Sequence, residues 1–386
     1  MILTSTVSPS LKIGLQFLGM WPNVAHSTVY WLSVMLSILI MQCFQYLYIF
    51  KHLKVSELLN LVDSLTVAMD YSLTMFKLIC LWINRRVFHQ ILTAMDDDWH
   101  ECINNDQHLY IMTVKANISH FCFNALLSFN AIATILYFLG DYIVRFMFLN
   151  EEYNDTLRQL PVKIQLPFDI QQSPIFEFLA LTTISHVMLH ASIVAILNGL
   201  IFTLVLHVSG QIDIICQELK NISENILYKS SMFSLGMLIE RHNKVILFSE
   251  NMEKFFSFFA LMQVVWNTLV ISSIGFVFII FMHSETGIFI LIKTIFAYIG
   301  IMIEAFIICF AGEYLSLKGN LIASATYEIL WYDMPPNQSK IIMFVIMRSQ
   351  KQLRITAGKM MDMSIETFAS IIKASASYLS VLNAIY

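Results

Sequence analysis

Long apolar runs separated by short polar connections dominate the pattern of this chain. Seven of them stand out: Val29 to Phe50, Leu58 to Ile83, Ile118 to Val144, Phe178 to Ile212, Phe255 to Ser284, Thr294 to Ala311 and Phe368 to Ile385. A bilayer's hydrocarbon core is about 30 Å thick, so roughly 17–25 apolar residues cross it as a helix. The pattern therefore predicts an all-α integral membrane protein with seven transmembrane helices. Some connections also carry a helical signal. Gln211 to Lys254 contains IERHNKVILFSENMEKFFS, whose apolar residues recur at helical spacing. This predicts helices that extend beyond the membrane rather than a separate globular domain. The connection from Asp141 to Glu177 differs, because Pro161, Pro167 and Pro174 push the residues before them toward extended backbone. It predicts a shaped loop able to roof a cavity.

Composition agrees with the pattern. The chain is 57% hydrophobic and only 13% charged, against about 25% charged in a soluble domain. With a net charge of −4 and no basic stripe interleaved with aromatics, nucleic acid is not an expected partner. The six cysteines are scattered, without metal-ligand spacing, and most fall in or beside apolar runs, so no disulfide framework is expected. MILTSTVSPSLKIG at the start has no charged region followed by a cleavage site, and does not read as a signal peptide. The two halves share no repeat of the kind found in inverted-repeat transporters.

Lys and Arg in the connections orient the spans. With the N-terminus in the cytoplasm, the inner segments hold fifteen of the 23 basic residues and the outer segments six, Lys77 and Lys373 lying within spans. The expected topology is N-terminus cytoplasmic and C-terminus extracellular, opposite to a G-protein-coupled receptor. Of four Asn-x-Ser/Thr sequons, only Asn154 then lies outside and is open to glycosylation.

Catalytic signatures are missing: no HExxH, no GxSxG and no glycine-rich phosphate loop occurs. An enzyme is not expected, nor a cofactor. His186 and His190 stand i, i+4 on the fourth span, as shared metal ligands or as hydrogen-bonded cavity residues. No acidic or cysteine ligand accompanies them, which favours the second reading and no metal. Asp70, Lys77, Glu304 and Lys373 lie at membrane depth, where ionisable groups mark function or pair structurally. Near the outer ends of several spans lie Tyr71, Thr74, Phe129, Ala133, Tyr137, His186, His190 and Tyr298. This aromatic set with a few polar groups suits a small-molecule pocket, although helix packing uses the same residue types. The last span carries Ser370, Lys373, Ser377, Ser380 and Asn383. Such a polar stripe either faces a conduit or packs against neighbours through small residues.

The C-terminal third carries a more specific pattern. WYDMPPNQSKIIMFVIMRSQKQLRITAGKM is followed by MSIETFASIIKASASYLSVL. Trp331, Tyr332 and Pro335 form a WY-x-x-P element, and Ser364, Phe368, Lys373, Ser377, Tyr378 and Leu382 a terminal S…F…K…SY…L pattern. Together with Phe138 to Asp141 and His242, these residues resemble the insect odorant receptor family. The resemblance extends over all seven spans and is most specific at the C-terminus. Gustatory receptors, a related group, end in TY-x5-QF, whereas Tyr378 is followed here by LSVLNAIY.

The resemblance implies an odorant-binding subunit of a ligand-gated, non-selective cation channel in the plasma membrane of a sensory neuron dendrite. Four subunits would surround one pore lined by the last helix. This chain would be a tuning subunit beside the co-receptor Orco, since its fourth cytoplasmic connection is short. Cytoplasmic helical extensions would form an anchor domain, with a pre-pore helix from Ser339 to Ala357. Residues 1–320 would hold the ligand, and 321–386 the anchor helix and pore helix. Val381 matches the hydrophobic gate position, Ala384 a position that is polar in the co-receptor, and Ser370, Lys373 and Ser377 share their helical stripe. A small volatile and membrane lipid are the other implied partners. A gustatory-type channel working without the co-receptor is the alternative, and a G-protein-coupled receptor, for which DRY and NPxxY elements are missing, a weaker one.

Overall fold

The computed structural model of the chain describes residues 5–22, 24–53, 58–148, 160, 162–167, 172–224, 232–281 and 288–385. Their fold is almost entirely helical. Helix α1 (Pro9–Phe17) starts at Ser8, whose hydroxyl accepts the Leu11 N–H, with Pro9 in the first turn. A tight turn at Gly19 then leads to α2 (Ser27–Lys51). Gly19 has φ +67, and a Cβ there would lie 2.2 Å from the Ser27 carbonyl oxygen, so only glycine fits. Helix α3 (Leu58–Ile83) passes almost directly into α4 (Arg85–Cys102), whose amphipathic face buries Phe88, Ile91, Leu92, Met95 and Trp99.

Four long helices follow: α5 (Asp106–Phe148), α6 (Ile175–Glu224), α7 (Met232–Phe281) and α8 (Ile288–Glu328). At 50 residues, α6 and α7 are each about 75 Å long, more than twice the thickness of a hydrocarbon core. The apolar runs therefore mark only part of each helix, and the helices continue past the end that the Lys/Arg asymmetry assigns to the cytoplasm. Charge pairs join them there. Asp213 on α6 holds Lys115 of α5 at 2.8 Å and Lys318 of α8 at 2.7 Å. Arg241 of α7 reaches Gln211 (2.8 Å) and Glu218 (3.5 Å) on α6. The N-terminal segment is pinned to this bundle by a buried chain of side chains. Thr6 Oγ1 lies 3.0 Å from His207 Nδ1 and accepts from Trp99 Nε1, while His207 Nε2 meets Asp98 at 3.0 Å.

Residue 320 falls inside α8, so ligand-binding and anchor regions share one continuous helix. Past a 3-10 turn at Trp331–Asp333, α9 runs from Pro336 to Ser349. The pre-pore helix expected over Ser339 to Ala357 thus begins earlier and stops earlier. Pro336 presets the first turn, while Ala357 belongs to a two-strand hairpin, Thr356–Ala357 paired with Met361–Asp362. Gly358 and Lys359 make its turn with φ of +60 and +61. Glu253 of α7 accepts the Thr356 N–H at 2.7 Å, which fixes the hairpin to the bundle.

Helix α10 (Ile365–Ile385) closes the fold against α7 and α8. Its start is held tightly, since a Cβ on Gly312 would meet the Met363 carbonyl oxygen at 2.2 Å. Further along, Ser272 donates to the Ser375 carbonyl (3.3 Å), and Phe306 meets Phe368 edge-on at 5.5 Å. Six helices qualify for a membrane crossing on their described residues, from Ser27–Lys51 to Ile295–Glu328. With α10, 21 residues and about 31 Å long, they make the seven spans.

Candidate functional site: a helix-lined cavity and an exposed helix face

A cavity of about 250 Å3 lies among α3, α5, α6, α7 and α8. Its wall is chiefly apolar: Val67, Tyr71, Phe129, Ala133, Val187, Ala191, Val194, Ile274, Phe296, Ala297, Gly300 and Ile301. Val162 also reaches it from the proline-containing connection. That strand of loop is tied to α2 by the Gln165 N–H, which donates to the Phe44 carbonyl at 3.1 Å. Polar groups are few: Thr66, Asp70, Asn130, Thr134, His190 and Glu304. A chiefly apolar cavity with a few fixed polar atoms is the form of a small-molecule site.

Packing fixes the orientation of those polar groups. Tyr71 stacks on His190 with ring centroids 3.9 Å apart and on His186 at 5.6 Å. Its hydroxyl lies 3.3 Å from His186 Nδ1, and His186 Nε2 lies 3.1 Å from the Ser37 carbonyl. His190 Nε2 is 3.0 Å from Thr74 Oγ1. At the base of the cavity, Glu304 pairs with Lys77, both side chains almost wholly buried. The Lys77 ammonium lies 4.9 Å from the centroid of the Phe259 ring, and Gln263 donates to the Glu304 backbone carbonyl at 3.1 Å. Helix α7 is further locked to α3 by Trp266, which donates to the Met69 carbonyl at 2.6 Å.

Of the pocket residues expected from sequence, Tyr71, Phe129, Ala133 and His190 line the cavity. Thr74 and His186 stand behind it, holding the two rings that do. Both histidines are engaged by hydroxyl or carbonyl groups, and no metal-holding group of three His, Cys, Asp or Glu occurs among the described residues. Tyr298 does not line the cavity. It packs against the core of α8's neighbours, while Ala297, Gly300, Ile301 and Glu304 turn inward. The side chain of Tyr137 lies outside the described residues. Asn130 and Thr134 were not expected, although each follows a residue that was. The two adjacent i, i+4 rows on α5 were the available signal.

Phe129→Ala should weaken the binding of a small molecule in the cavity roughly tenfold at normal surface expression. The lost ring burial is worth on the order of 1.5 kcal/mol. A binding curve from surface-labelled cells measures this, and an unmoved curve would place the ligand elsewhere.

On α10, Ser370, Lys373, Ser377, Val381 and Ala384 are all exposed, and Ile371 and Ser375 on the other side are buried. The Ser370 and Ser377 hydroxyls turn back onto the carbonyls of Glu366 (2.9 Å) and Lys373 (3.0 Å). Val381 keeps 56% of its surface open. A second exposed face lies near α9, where Tyr327, Tyr332, Phe344, Met347 and Met360 are each more than half accessible. Asn154 lies outside the described residues.

Known proteins share both sequence and fold with this chain. The family described as 7tm odorant receptor matches residues 57–376. Odorant receptor 13a of Drosophila melanogaster is 22% identical over 361 residues, covering 85% of this chain and 82% of that protein. Odorant receptor 22c of the same species is 23% identical over 243 residues, 58% of this chain and 59% of that one. Among solved structures, the insect olfactory receptor OR5 from Machilis hrabei in complex with eugenol superposes with a TM-score of 0.75, at 15% identity and 97% coverage of both chains. The same receptor without a named ligand gives 0.74. A match over most of the length, on a fold whose helices correspond nearly end to end, leaves one conclusion: this chain is a multi-pass membrane protein of the 7tm odorant receptor family.

Proposed function

We propose that the chain is the odorant-binding subunit of a heteromeric, ligand-gated, non-selective cation channel. The chiefly apolar cavity carries this reading, because its wall includes α8 and α8 also packs against α10. A small volatile seated among Tyr71, Phe129, Ala133 and His190 would favour one position of α8 over another. It can bias opening only by its differential affinity for the two positions. Phe306 on α8 and Phe368 on α10 lie in edge-on contact and supply the mechanical link. The eugenol complex of the Machilis receptor supports a small-molecule site in this fold.

Opening is assigned to α10, with Val381 as the apolar constriction, Ala384 beyond it, and Ser370, Lys373 and Ser377 on the stripe below. A hydrophobic ring can close a pore by dewetting. The apolar face around Tyr332, Phe344 and Met347 is the assembly surface for the co-receptor Orco in a tetramer, where an exposed patch of this kind is expected to be covered. Residues 1–320 then serve mainly as ligand-binding part and 321–386 as anchor and pore part. Asn154 is an external glycosylation site, and the dendrite of a sensory neuron is the assigned location.

One experiment tests the whole reading. The chain is expressed alone and with the co-receptor, with tags at Met1 and Tyr386, and volatiles are applied during whole-cell recording. Current is expected only from the pair, with the Tyr386 tag reachable on intact cells and the Met1 tag not. Equal current from the chain alone would favour the gustatory-type reading, and the reverse labelling would overturn the channel topology.

A further inference from the structure

We infer that the preferred ligands are small volatile amines, held as ammonium ions by Asp70. The inference rests on the cavity being the ligand site, and names the chemical class that the site takes. Two carboxylates line the space, Asp70 and Glu304, and they differ in what answers them. Glu304 is paired with Lys77. Among the described residues Asp70 forms no salt bridge with a Lys or Arg. His190 approaches it, with Nε2 3.8 Å from Oδ2, beyond hydrogen-bond length. That nitrogen is already engaged by Thr74 Oγ1 at 3.0 Å. The Asp70 side chain keeps 36% of its surface open, and it belongs to the cavity wall rather than to the helix interface behind.

Charge accounting gives the ligand's sign. The two acidic lining groups share one lysine: Lys77 pairs with Glu304 and its charge also acts on Asp70, which leaves the two carboxylates with one negative charge in excess in a chiefly apolar space. An ionised carboxylate away from water is costly until a cation or several donors meet it. A protonated amine brings both at once, a positive charge and N–H donors, in charge-assisted hydrogen bonds stronger than neutral ones. The rest of the wall suits the rest of such a molecule. Phe129 and Phe296 offer aromatic faces, which attract cations as well as apolar groups. Asn130 and Thr134 are polar lining groups with oxygen acceptors for remaining N–H groups. A neutral alcohol can donate only one hydrogen bond to Asp70 and leaves the charge unanswered. A hydrocarbon donates none.

The test uses matched ligands of nearly the same shape: 2-phenylethylamine, 2-phenylethanol and propylbenzene. Each is applied to cells carrying the full-length chain with the co-receptor, and each is also titrated against the purified full-length chain in detergent. The amine is expected to bind and activate at a concentration about ten- to hundredfold lower than the alcohol, with propylbenzene weaker still. In Asp70→Asn, at a surface level verified by labelling, that ratio is expected to collapse to near one. In Asp70→Glu the preference for the amine persists with a shifted midpoint. An alcohol or hydrocarbon binding as well as the amine, or an unchanged ratio in Asp70→Asn, overturns the inference. The two readouts separate it from the channel reading. Amine-selective binding without any current leaves this inference standing and removes the other. Current driven equally by all three compounds does the reverse.

Discussion

Lys77→Met should reach the cell surface at a small fraction of the wild-type level. The reason is what it leaves behind. Lys77 and Glu304 expose only 2% and 6% of their side chains, and the pair joins α3 to α8 in the middle of the bundle. Removing one member of a buried pair strands the other charge and costs about 3–5 kcal/mol, a large share of the 5–15 kcal/mol that usually holds a fold. The ammonium also sits over the Phe259 ring and gives up that contact. The informative control is the double variant Lys77→Met/Glu304→Leu. Replacing a buried pair by apolar groups of similar volume is often neutral or stabilising, so surface expression should return. Surface biotinylation of the three proteins measures both effects. Normal expression of Lys77→Met would mean that Glu304 finds another partner or water, and that the pair does not hold α3 to α8.

Val381→Ser should raise the current that flows without ligand several-fold. Val381 lies on the open face of α10, in line with Ser370, Lys373 and Ser377 and opposite the buried Ile371 and Ser375. If this face looks onto the pore, its apolar residue is the one that excludes water, and a hydroxyl there lets the closed state wet. In the proposed mixed tetramer the increase should be partial, because the other subunits would keep their own apolar residues at that level. Lys373→Ala should instead alter single-channel conductance or ion preference, since a cation at that level repels others. Recording each variant beside wild-type co-receptor gives leak, conductance and sensitivity together. All three unchanged in Val381→Ser would show that α10 does not line the conduction path.

The helical membrane fold was written plainly in the sequence, and the cavity only in outline. Apolar runs signal desolvation, and desolvation is what selects helices in a bilayer, so the span from Leu58 to Ile83 coincides with α3. The runs underreport α6 and α7, whose polar continuations are helical because they pack on one another through pairs such as Arg241 with Glu218. At the site, the rows Tyr71 with Thr74 and His186 with His190 were legible, because residues three or four apart share a face. What a single helix cannot reveal is its rotation about its own axis. Tyr298 was expected inside, yet its neighbour Ala297 lines the wall, a difference of one residue and about 100°. Asp70, Lys77 and Glu304 were visible as ionisable groups at membrane depth. The pairing of Lys77 with Glu304 was not, because it spans 227 positions of sequence.

The close seating of Met363 on Gly312 has a consequence for leverage. With Met363 just before it seated against Gly312 of α8 and the hairpin fastened to Glu253, α10 has a fulcrum near Ile365 and an arm beyond it that rests on α7 at Ser375 and Leu379. Val381 lies sixteen residues along that arm, about 24 Å from the pivot, while Phe368 lies three residues along, about 4.5 Å. A tilt of about 5° therefore carries the valine through about 2 Å and the phenylalanine through only a few tenths of an ångström. A small push at the Phe306–Phe368 contact is geared up about fivefold at the far end. One missing methyl group, at position 312, sets where that lever is hinged.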